Sequence, residues 1–476
     1  MVLILTSCYH NENDISFYNG GGEIILVGDK YTEYEENVFL NVSEFPVSTF
    51  SIDADGASYA NVRRFITQDN TLPPVGAIRT EELINYFNLD YDFENSGHPI
   101  SLNGEVSICP WNIENKLIRI GIKGRPIPKN ELPPSNFVFL IDVSGSMSGE
   151  DRLDLLKNGF KYFVDELADH DRVAIVTYAG SAGVKLESTA GSEKAKIKTA
   201  IEQLDAGGST AGGEGILAAY RIAQENFIEN GNNRVILGTD GDFNVGVNSQ
   251  EELVKLIEEE REKGIFLTVL GVGRGNYNDA TMEQIANKGN GAFEYLDNLE
   301  QLKKVFIYEF GKFYTIAKDV KVQVHFNPEN VEAYRLIGYE NRVLETEDFE
   351  DDKKDAGEIG SNQNITALYE IVPNSNPNFK SIPTFTIDFR YKQPDSDTSI
   401  PMELKIYDQG NTFEQASSFM KFTASVASFS MILKKSKYSG TSNLTLVSQW
   451  LQSVELEDHH GFINEFKDIA IKAGNL

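Results

Sequence analysis

Cysteine and histidine are scarce in this chain of 476 residues, which contains two cysteines, Cys8 and Cys109, and six histidines. So few soft ligands disfavour a zinc module built from Cys and His side chains. Long hydrophobic runs are also lacking. No uninterrupted apolar segment approaches the ~20 residues that a membrane-spanning helix needs, which disfavours an integral channel.

Basic residues are few relative to acidic ones. There are 43 Lys and Arg against 72 Asp and Glu, for a net charge of −29. This balance repels phosphate backbones and anionic lipid surfaces, so no nucleic-acid partner is expected. Acidic partners at short range remain compatible with the charge, because a bound divalent cation reverses the sign of a site.

What is present is ordinary globular composition, with 41% hydrophobic and 11% aromatic residues. These proportions build packed cores and exclude collagen-like, low-complexity and wholly disordered classes. At about 150 residues per domain, the length suggests roughly three domains, or one domain embedded in a larger one.

The N-terminus carries a short localisation signal. Leu5-Thr6-Ser7-Cys8 resembles the end of a bacterial lipoprotein signal, which implies acylation of Cys8 and a lipid-anchored place in the cell envelope. No Lys or Arg precedes Cys8, and the apolar stretch is shorter than a normal signal core of about 7–15 residues. A soluble periplasmic or cytoplasmic protein is the alternative. Residues 9–44 are polar and rich in Gly, Asn and Glu, so 1–44 is interpreted as a signal remnant and flexible tether.

An N-terminal region of helices and strands is predicted for 45–134. Apolar residues recur at helical spacing over 57–66 and 80–87, and residues 118–123 alternate in the manner of a half-buried strand. A proline-rich link between Pro126 and Pro134 marks its end.

The segment 135–312 alternates between strand and helix patterns. Predicted strands cover 137–141, 173–176, 234–237, 265–270 and 293–296, with a short edge strand at 184–186 and helices between them. This alternation predicts an α/β fold, with an open, mostly parallel sheet and helices on both faces.

Polar residues follow the strands of this predicted sheet. The first strand leads into Asp142, Ser144 and Ser146, another leads into Asp240, and the Gly-rich loop around Thr210 precedes a helix. Ligands of open α/β sheets bind beyond the carboxyl ends of the strands, so these side chains are expected at one edge.

Their chemistry suits a hard cation held by oxygen ligands alone, with Mg²⁺ as the expected ion and Mn²⁺ or Ca²⁺ as alternatives. Hydroxyl ligands are neutral and leave the metal short of negative charge. A carboxylate from a partner is therefore an attractive additional ligand.

At these residues a family resemblance becomes specific. Asp142-x-Ser144-x-Ser146, Thr210 and Thr239-Asp240-Gly241 resemble the metal-ion-dependent adhesion site (MIDAS) of von Willebrand factor type A (VWA) domains. The resemblance implies that Ser144, Ser146 and Thr210 contact the metal, with Asp142 and Asp240 binding it directly or through water.

The likeness extends over most of the chain from about residue 45. Segments 48–55, 60–64, 239–246 and 334–340 resemble the bacterial YfbK-type VWA lipoproteins. That similarity implies a VWA domain flanked by family-specific regions on both sides.

The C-terminal part, 313–476, changes to a period of two. Predicted strands over 320–326, 365–371, 385–391 and 402–406 indicate an antiparallel β-sandwich. Thr412 and Gln415 form a candidate capping box for a first helix, and further helices are predicted over 444–455 and 461–472. We hypothesise that strands before and after the VWA unit share one sandwich, which would make the VWA domain an insertion.

Three functions are compatible with these patterns. The first is a non-enzymatic, Mg²⁺-dependent binding protein of the cell envelope that captures an Asp or Glu of an unidentified protein partner and touches the membrane only through a lipid anchor. The second is a metal-dependent phosphohydrolase, although Ser144 stands where haloacid-dehalogenase-type enzymes need a second Asp and no general base is evident. The third is an accessory subunit of a membrane complex. The first is preferred, and no catalytic residue is assigned.

Overall fold

The computed structural model describes residues 15–18, 24–27, 29–52, 55–208, 212–241, 249–275, 277–375, 377–378 and 381–476. Its strands are β1 (Ile15–Tyr18), β2 (Ile24–Val27), β3 (Leu40–Asn41), β4 (Val47–Ser51), β5 (Ile100–Ile108), β6 (Lys116–Gly124), β7 (Ser135–Asp142), β8 (Arg172–Ala179), β9 (Ser181–Ala190), β10 (Asn232–Thr239), β11 (Ile265–Val272), β12 (Phe293–Leu296), β13 (Thr315–Phe326), β14 (Val331–Ile337), β15 (Val343–Leu344), β16 (Gly357–Gly360), β17 (Asn364–Pro373), β18 (Phe385–Lys392) and β19 (Ser399–Ile406).

The α-helices are α1 (Ala57–Arg64), α2 (Thr80–Asn85), α3 (Leu153–Glu166), α4 (Lys194–Glu202), α5 (Gly212–Glu225), α6 (Gln250–Glu262), α7 (Asp279–Lys288), α8 (Leu299–Lys303), α9 (Ser418–Leu433), α10 (Leu444–Gln452) and α11 (Phe462–Ala473).

The central unit is an α/β sheet with strand order β12-β11-β10-β7-β8-β9. Neighbouring strands run parallel except β9, which pairs antiparallel with β8 at the edge. Alternate residues of β7 enter different cores: Phe137, Phe139 and Ile141 pack with α3, whereas Val138 and Leu140 pack on the opposite face with α5 and α6. Burial on both faces explains the unbroken apolar run of β7, and the predicted fold class is confirmed.

Two antiparallel sheets form a sandwich beside this unit. One has the order β15-β4-β13-β18-β19 and the other β3-β14-β17-β6-β5. Their facing side chains share one core, which includes Phe50 and Val322 from the first sheet and Ile120 and Tyr369 from the second.

The strand pairing also settles how the sandwich is assembled along the chain. Strand β4 pairs with β13, and β6 pairs with β17, so strands that precede the α/β unit lie beside strands that follow it. This confirms the hypothesis that both flanking segments build one sandwich and that the α/β unit is inserted into it. The exact domain boundaries stay a prediction.

A helical layer made of α1, α2, α9, α10 and α11 has its own core. Phe87 packs edge-on against Phe422 with ring centroids 4.8 Å apart, and Phe466 lies 5.6 Å from the same ring. The capping box predicted at Thr412 and Gln415 is wrong as a helix start. Helix α9 begins at Ser418, and the hydroxyl of Ser417 caps it by accepting the backbone N–H of Met420.

The prediction of a flexible tether over 9–44 is wrong for residues 29–44. Asp29 forms an ion pair with Arg64 at 2.6 Å, and the hydroxyl of Tyr31 donates to Asn61 at 3.0 Å. Strand β3 pairs with β14 of the sandwich. Polar composition did not reveal these contacts, because a few specific anchors suffice to dock a short segment. Cys8 lies outside the described residues.

No helix within the described ranges combines the length and apolar character that crossing a bilayer requires.

Candidate metal centre

Asp142 is the last residue of β7 and is fully buried. Its Oδ1 accepts the backbone N–H of Ser144 at 2.8 Å, and its Oδ2 accepts the hydroxyl of Thr239 at 3.3 Å. The strand register explains the second contact, because Gly238 of β10 lies opposite Ile141 of β7 and places the next residues side by side. The carboxylate is thereby fixed at the carboxyl edge of the sheet.

The two serines follow in a tight turn. Ser144 is buried, and its Oγ lies 2.9 Å from the Oγ of Ser146. The turn closes as a single 3₁₀ turn over Gly145–Met147, with the Met147 side chain in the core beneath it. A single residue separates Ser144 from Ser146, and this spacing puts both hydroxyls on the side of the turn that carries Asp142.

The turn is also held from outside. The backbone N–H of Gly145 donates to the carbonyl of Gly208 at 3.0 Å, and that of Gly207 donates to Val143 at 2.7 Å. Arg152 Nη1 donates to the carbonyl of Ser146 at 2.5 Å. The start of the Gly-rich loop is thus bound to the Asp142 turn, while Thr210 itself lies outside the described residues.

Asp240 follows β10 at the same edge and is 3% exposed. Its position depends on Gly241, whose φ of +91° is a conformation that L side chains rarely adopt. A Cβ at this position would lie 2.6 Å from the backbone nitrogen of Asn278. The backbone N–H of Gly241 donates to the Thr239 hydroxyl at 3.2 Å and completes the turn.

Electrostatics make this edge receptive to a cation. Burial raises the pKa of Asp142 to about 6, and the neighbouring charge of Asp240 acts in the same direction, against the hydrogen bonds from Ser144. None of the Lys, Arg or His side chains in the described part of the chain forms an ion pair with Asp142. A buried carboxylate without a counter-ion is a group that a bound cation would stabilise.

The donor set fits a divalent metal. Asp142 and Asp240 supply carboxylate oxygens, and Ser144 and Ser146 supply hydroxyl oxygens. No sulfur or imidazole ligand accompanies them, as a hard cation prefers. The structure therefore brings together four of the five predicted ligands.

Two supporting residues were not predicted from the sequence. Tyr178 is the last but one residue of β8 and lies opposite Asp142, its side chain is buried, and its carbonyl accepts the N–H of Val143 at 3.1 Å. Arg152 holds the serine turn. Tyr178 lies near the carboxyl end of the strand next to β7 and could have been found by the rule that selected Asp142, whereas Arg152 carries no local signal.

Comparisons with known proteins agree with this geometry. The von Willebrand factor type A domain family matches residues 136–307, a von Willebrand factor family matches 26–119, and the family described as "Uncharacterized protein YfbK, C-terminal" matches 311–476. The α/β unit with its oxygen-lined edge is thus a VWA domain.

Relatives extend the match beyond that domain. The chain is 40% identical over 461 residues to the uncharacterized protein YfbK of Escherichia coli (strain K12), covering 92% of this chain and 80% of that protein. It is 27% identical to the uncharacterized protein sll0103 of Synechocystis, over 42% of this chain and 46% of that protein. The chain belongs to the bacterial YfbK family of VWA proteins.

Among solved structures, the von Willebrand factor type A protein from Catenulispora acidiphila is similar, with a TM-score of 0.44 and 16% identity over 79% of this chain and 98% of that one. The VWA domain and the YfbK relationship together indicate a protein-interaction or scaffold role.

Proposed function

We propose that this protein is a non-enzymatic binding protein of the bacterial cell envelope that captures an acidic side chain of a protein partner through a divalent cation, Mg²⁺ in the first instance. The observation that carries the proposal is the convergence of Asp142, Ser144, Ser146 and Asp240 at one sheet edge. Thr210 would complete the ligand set, and acylation at Cys8 would provide the anchor.

The composition of the site supports binding over hydrolysis. Two of the four described donors are neutral hydroxyls, so the two carboxylates of the site at most balance the charge of a divalent cation. Even with Thr210, the five donors leave one position of an octahedral metal open for a further carboxylate. The residue two positions after Asp142 is Ser144, whose hydroxyl contacts Ser146. A second acid is therefore missing from the place where a haloacid-dehalogenase-type mechanism needs one.

Titration calorimetry and a phosphatase assay together test this proposal. We expect Mg²⁺ to bind the metal-free full chain with one site that is lost in Asp142→Asn, and no turnover of a p-nitrophenyl phosphate substrate. Asp169→Asn is the matched control, because Asp169 is exposed and precedes β8 at the opposite sheet edge. Metal-dependent turnover that disappears in Asp142→Asn would contradict the binding-only function.

A further inference from the structure

A cavity of about 350 Å³ lies between the VWA domain and the sandwich. It is at the amino-terminal edge of the VWA sheet, since Arg234 is the third residue of β10 and Thr268 lies midway along β11. Thr239, beside the metal site, is five residues further along β10, or roughly 17 Å at 3.3 Å per residue. The cavity is therefore separate from the metal centre.

Arg234 lines this cavity as a buried cation that lacks a carboxylate partner. Its side chain is 2% exposed, and its guanidinium donates to two neutral hydroxyls, Thr268 Oγ1 at 2.9 Å and Thr315 Oγ1 at 3.2 Å. Its Nε finds no hydrogen-bond acceptor among the described residues. Burial lowers the pKa of Arg234 to about 10.

Other buried arginines in the described part of the chain do have carboxylate partners, unlike Arg234. Arg63 pairs with Asp297 at 2.5 Å, and Arg335 pairs with Glu370 at 3.1 Å. Taking a guanidinium out of water is costly, and a close carboxylate normally offsets the cost. Within the described ranges, Arg234 has no such partner within 4 Å.

Glu358 lines the same cavity, and one of its carboxylate oxygens lacks a hydrogen-bond donor among the described residues, as Arg234 lacks a carboxylate. Its Oε1 is buried and has no hydrogen-bond donor in the described part of the chain. Its carboxylate lies within 4.8 Å of oxygens of Asp319 and Asp355. Burial raises the pKa of Glu358 well above its ordinary value, and the charges of Asp355 and Asp319 act in the same direction. These two neighbours are already neutralised, Asp319 by Lys392 at 2.8 Å and Asp355 by Arg261 at 2.6 Å.

One further polar group faces the cavity. Asn290 is 6% exposed, and its Oδ1 has no donor among the described side chains and backbone groups. The cavity thus presents a guanidinium short of an anion, together with carboxylate and amide oxygens short of a donor. Cavities of this size at domain interfaces are common ligand sites.

We propose that this cavity binds a small zwitterion of the α-amino-acid class, with its carboxylate on Arg234 and its ammonium group on Glu358 and Asn290. Such a ligand supplies both the negative charge that Arg234 lacks and the positive charge that Glu358 lacks among the described residues. A simple anion would leave Glu358 unsatisfied, and a metal cation would leave Arg234 unsatisfied. Because the ligand would touch both the VWA domain and the sandwich, it would also stabilise their contact.

The test uses thermal unfolding and calorimetry of the full chain at pH 7.5, with glycine, L-alanine and L-glutamine each at about 10 mM. We expect at least one of them to raise Tm and bind with a single site. Acetate and ethylamine are the matched ligands, since each carries only one of the two charges. Each should bind at least roughly tenfold more weakly.

Substitutions of two cavity residues test whether the amino acid binds in this cavity. Glu358→Gln keeps the shape and Arg234→Lys keeps the charge, and both should weaken binding of the amino acid at least roughly tenfold. Glu347→Gln, at an exposed position outside the cavity, should leave it unchanged. If Arg234→Lys does not fold, the Glu358→Gln result decides.

Three results would overturn the proposal. The first is absence of binding by all three amino acids, and the second is equal binding of acetate. The third is stabilisation by Mg²⁺ or Ca²⁺ that depends on Glu358, measured in an Asp142→Asn background so that the metal centre does not contribute. The proposal does not depend on the function assigned to that centre.

Discussion

The hydroxyl of Thr239 donates to the buried carboxylate of Asp142 at 3.3 Å and joins two strands whose residues are 97 positions apart. This contact fixes both halves of the candidate metal centre against each other before any cation binds.

The first prediction concerns pH and the stability of the metal-free protein. Because the pKa of Asp142 rises from 3.8 to about 6 on folding, the folded state holds this proton more tightly than the unfolded state. Stability in chelator should therefore fall as pH rises from about 4 to about 6, by up to about 3 kcal/mol for two pKa units, and be constant above. Urea unfolding across this range should show the decline in wild type and lose it in Asp142→Asn. An equal decline in both proteins would refute the assignment.

The second prediction concerns the serine hydroxyls. Ser144→Ala and Ser146→Ala each remove one neutral metal ligand, so each should weaken Mg²⁺ binding by roughly tenfold, or about 1.4 kcal/mol. A competition assay with a Mg²⁺-sensitive dye measures this. Ser148→Ala, an exposed position in the same loop, is the control. Wild-type affinity in both substituted proteins would show that the hydroxyls do not ligate.

The third prediction concerns the turn that carries Asp240. Gly241→Ala places a Cβ 2.6 Å from the backbone nitrogen of Asn278 at a φ of +91°, so it should cost more than about 1 kcal/mol and weaken Mg²⁺ binding. Gly183→Ala in the edge strand meets no atom within 4 Å and should be nearly neutral. Chemical denaturation of both variants provides the comparison, and equal stabilities would be inconsistent with this role of Gly241.

The fourth prediction concerns the attachment of helix α1 to the VWA domain. Arg63 and Asp297 form a buried pair at 2.5 Å, so Arg63→Met leaves an unpaired buried carboxylate and should destabilise the protein by about 3–5 kcal/mol. Arg221→Met removes the exposed pair with Glu225 and should change stability by at most about 0.5 kcal/mol. Similar unfolding midpoints for the two variants would argue against this anchoring.

The α/β unit was predictable because its strands are buried on both faces and read as unbroken apolar runs, as in Phe137–Ile141. The edge strand of this sheet was less predictable from the sequence. The short strand expected at 184–186 is the ten-residue β9, because an edge strand with one exposed face shows little apolar patterning. The contacts of Asp29 and Tyr31 depend on tertiary structure and leave no periodic signal.

The grouping of the candidate metal ligands was predictable only to the extent that strand topology decides it. Asp142 ends β7 and Asp240 directly follows β10, and these two strands are parallel, so both residues had to reach the same edge. The hydrogen bond from Arg152 to the serine turn could be found only from the fold. The cavity at Arg234 could not be predicted, because its walls come from β10 and β16, far apart in sequence and in different domains.

Capture of a partner by the immobilised full chain is the most direct test of the central claim. From an envelope extract in Mg²⁺, we predict a bound protein that is released by chelator, absent with Asp142→Asn, retained with Asp169→Asn, and lost when the carboxyl groups of the extract are amidated. Equal capture in chelator, or by Asp142→Asn, would contradict metal-dependent capture at this site.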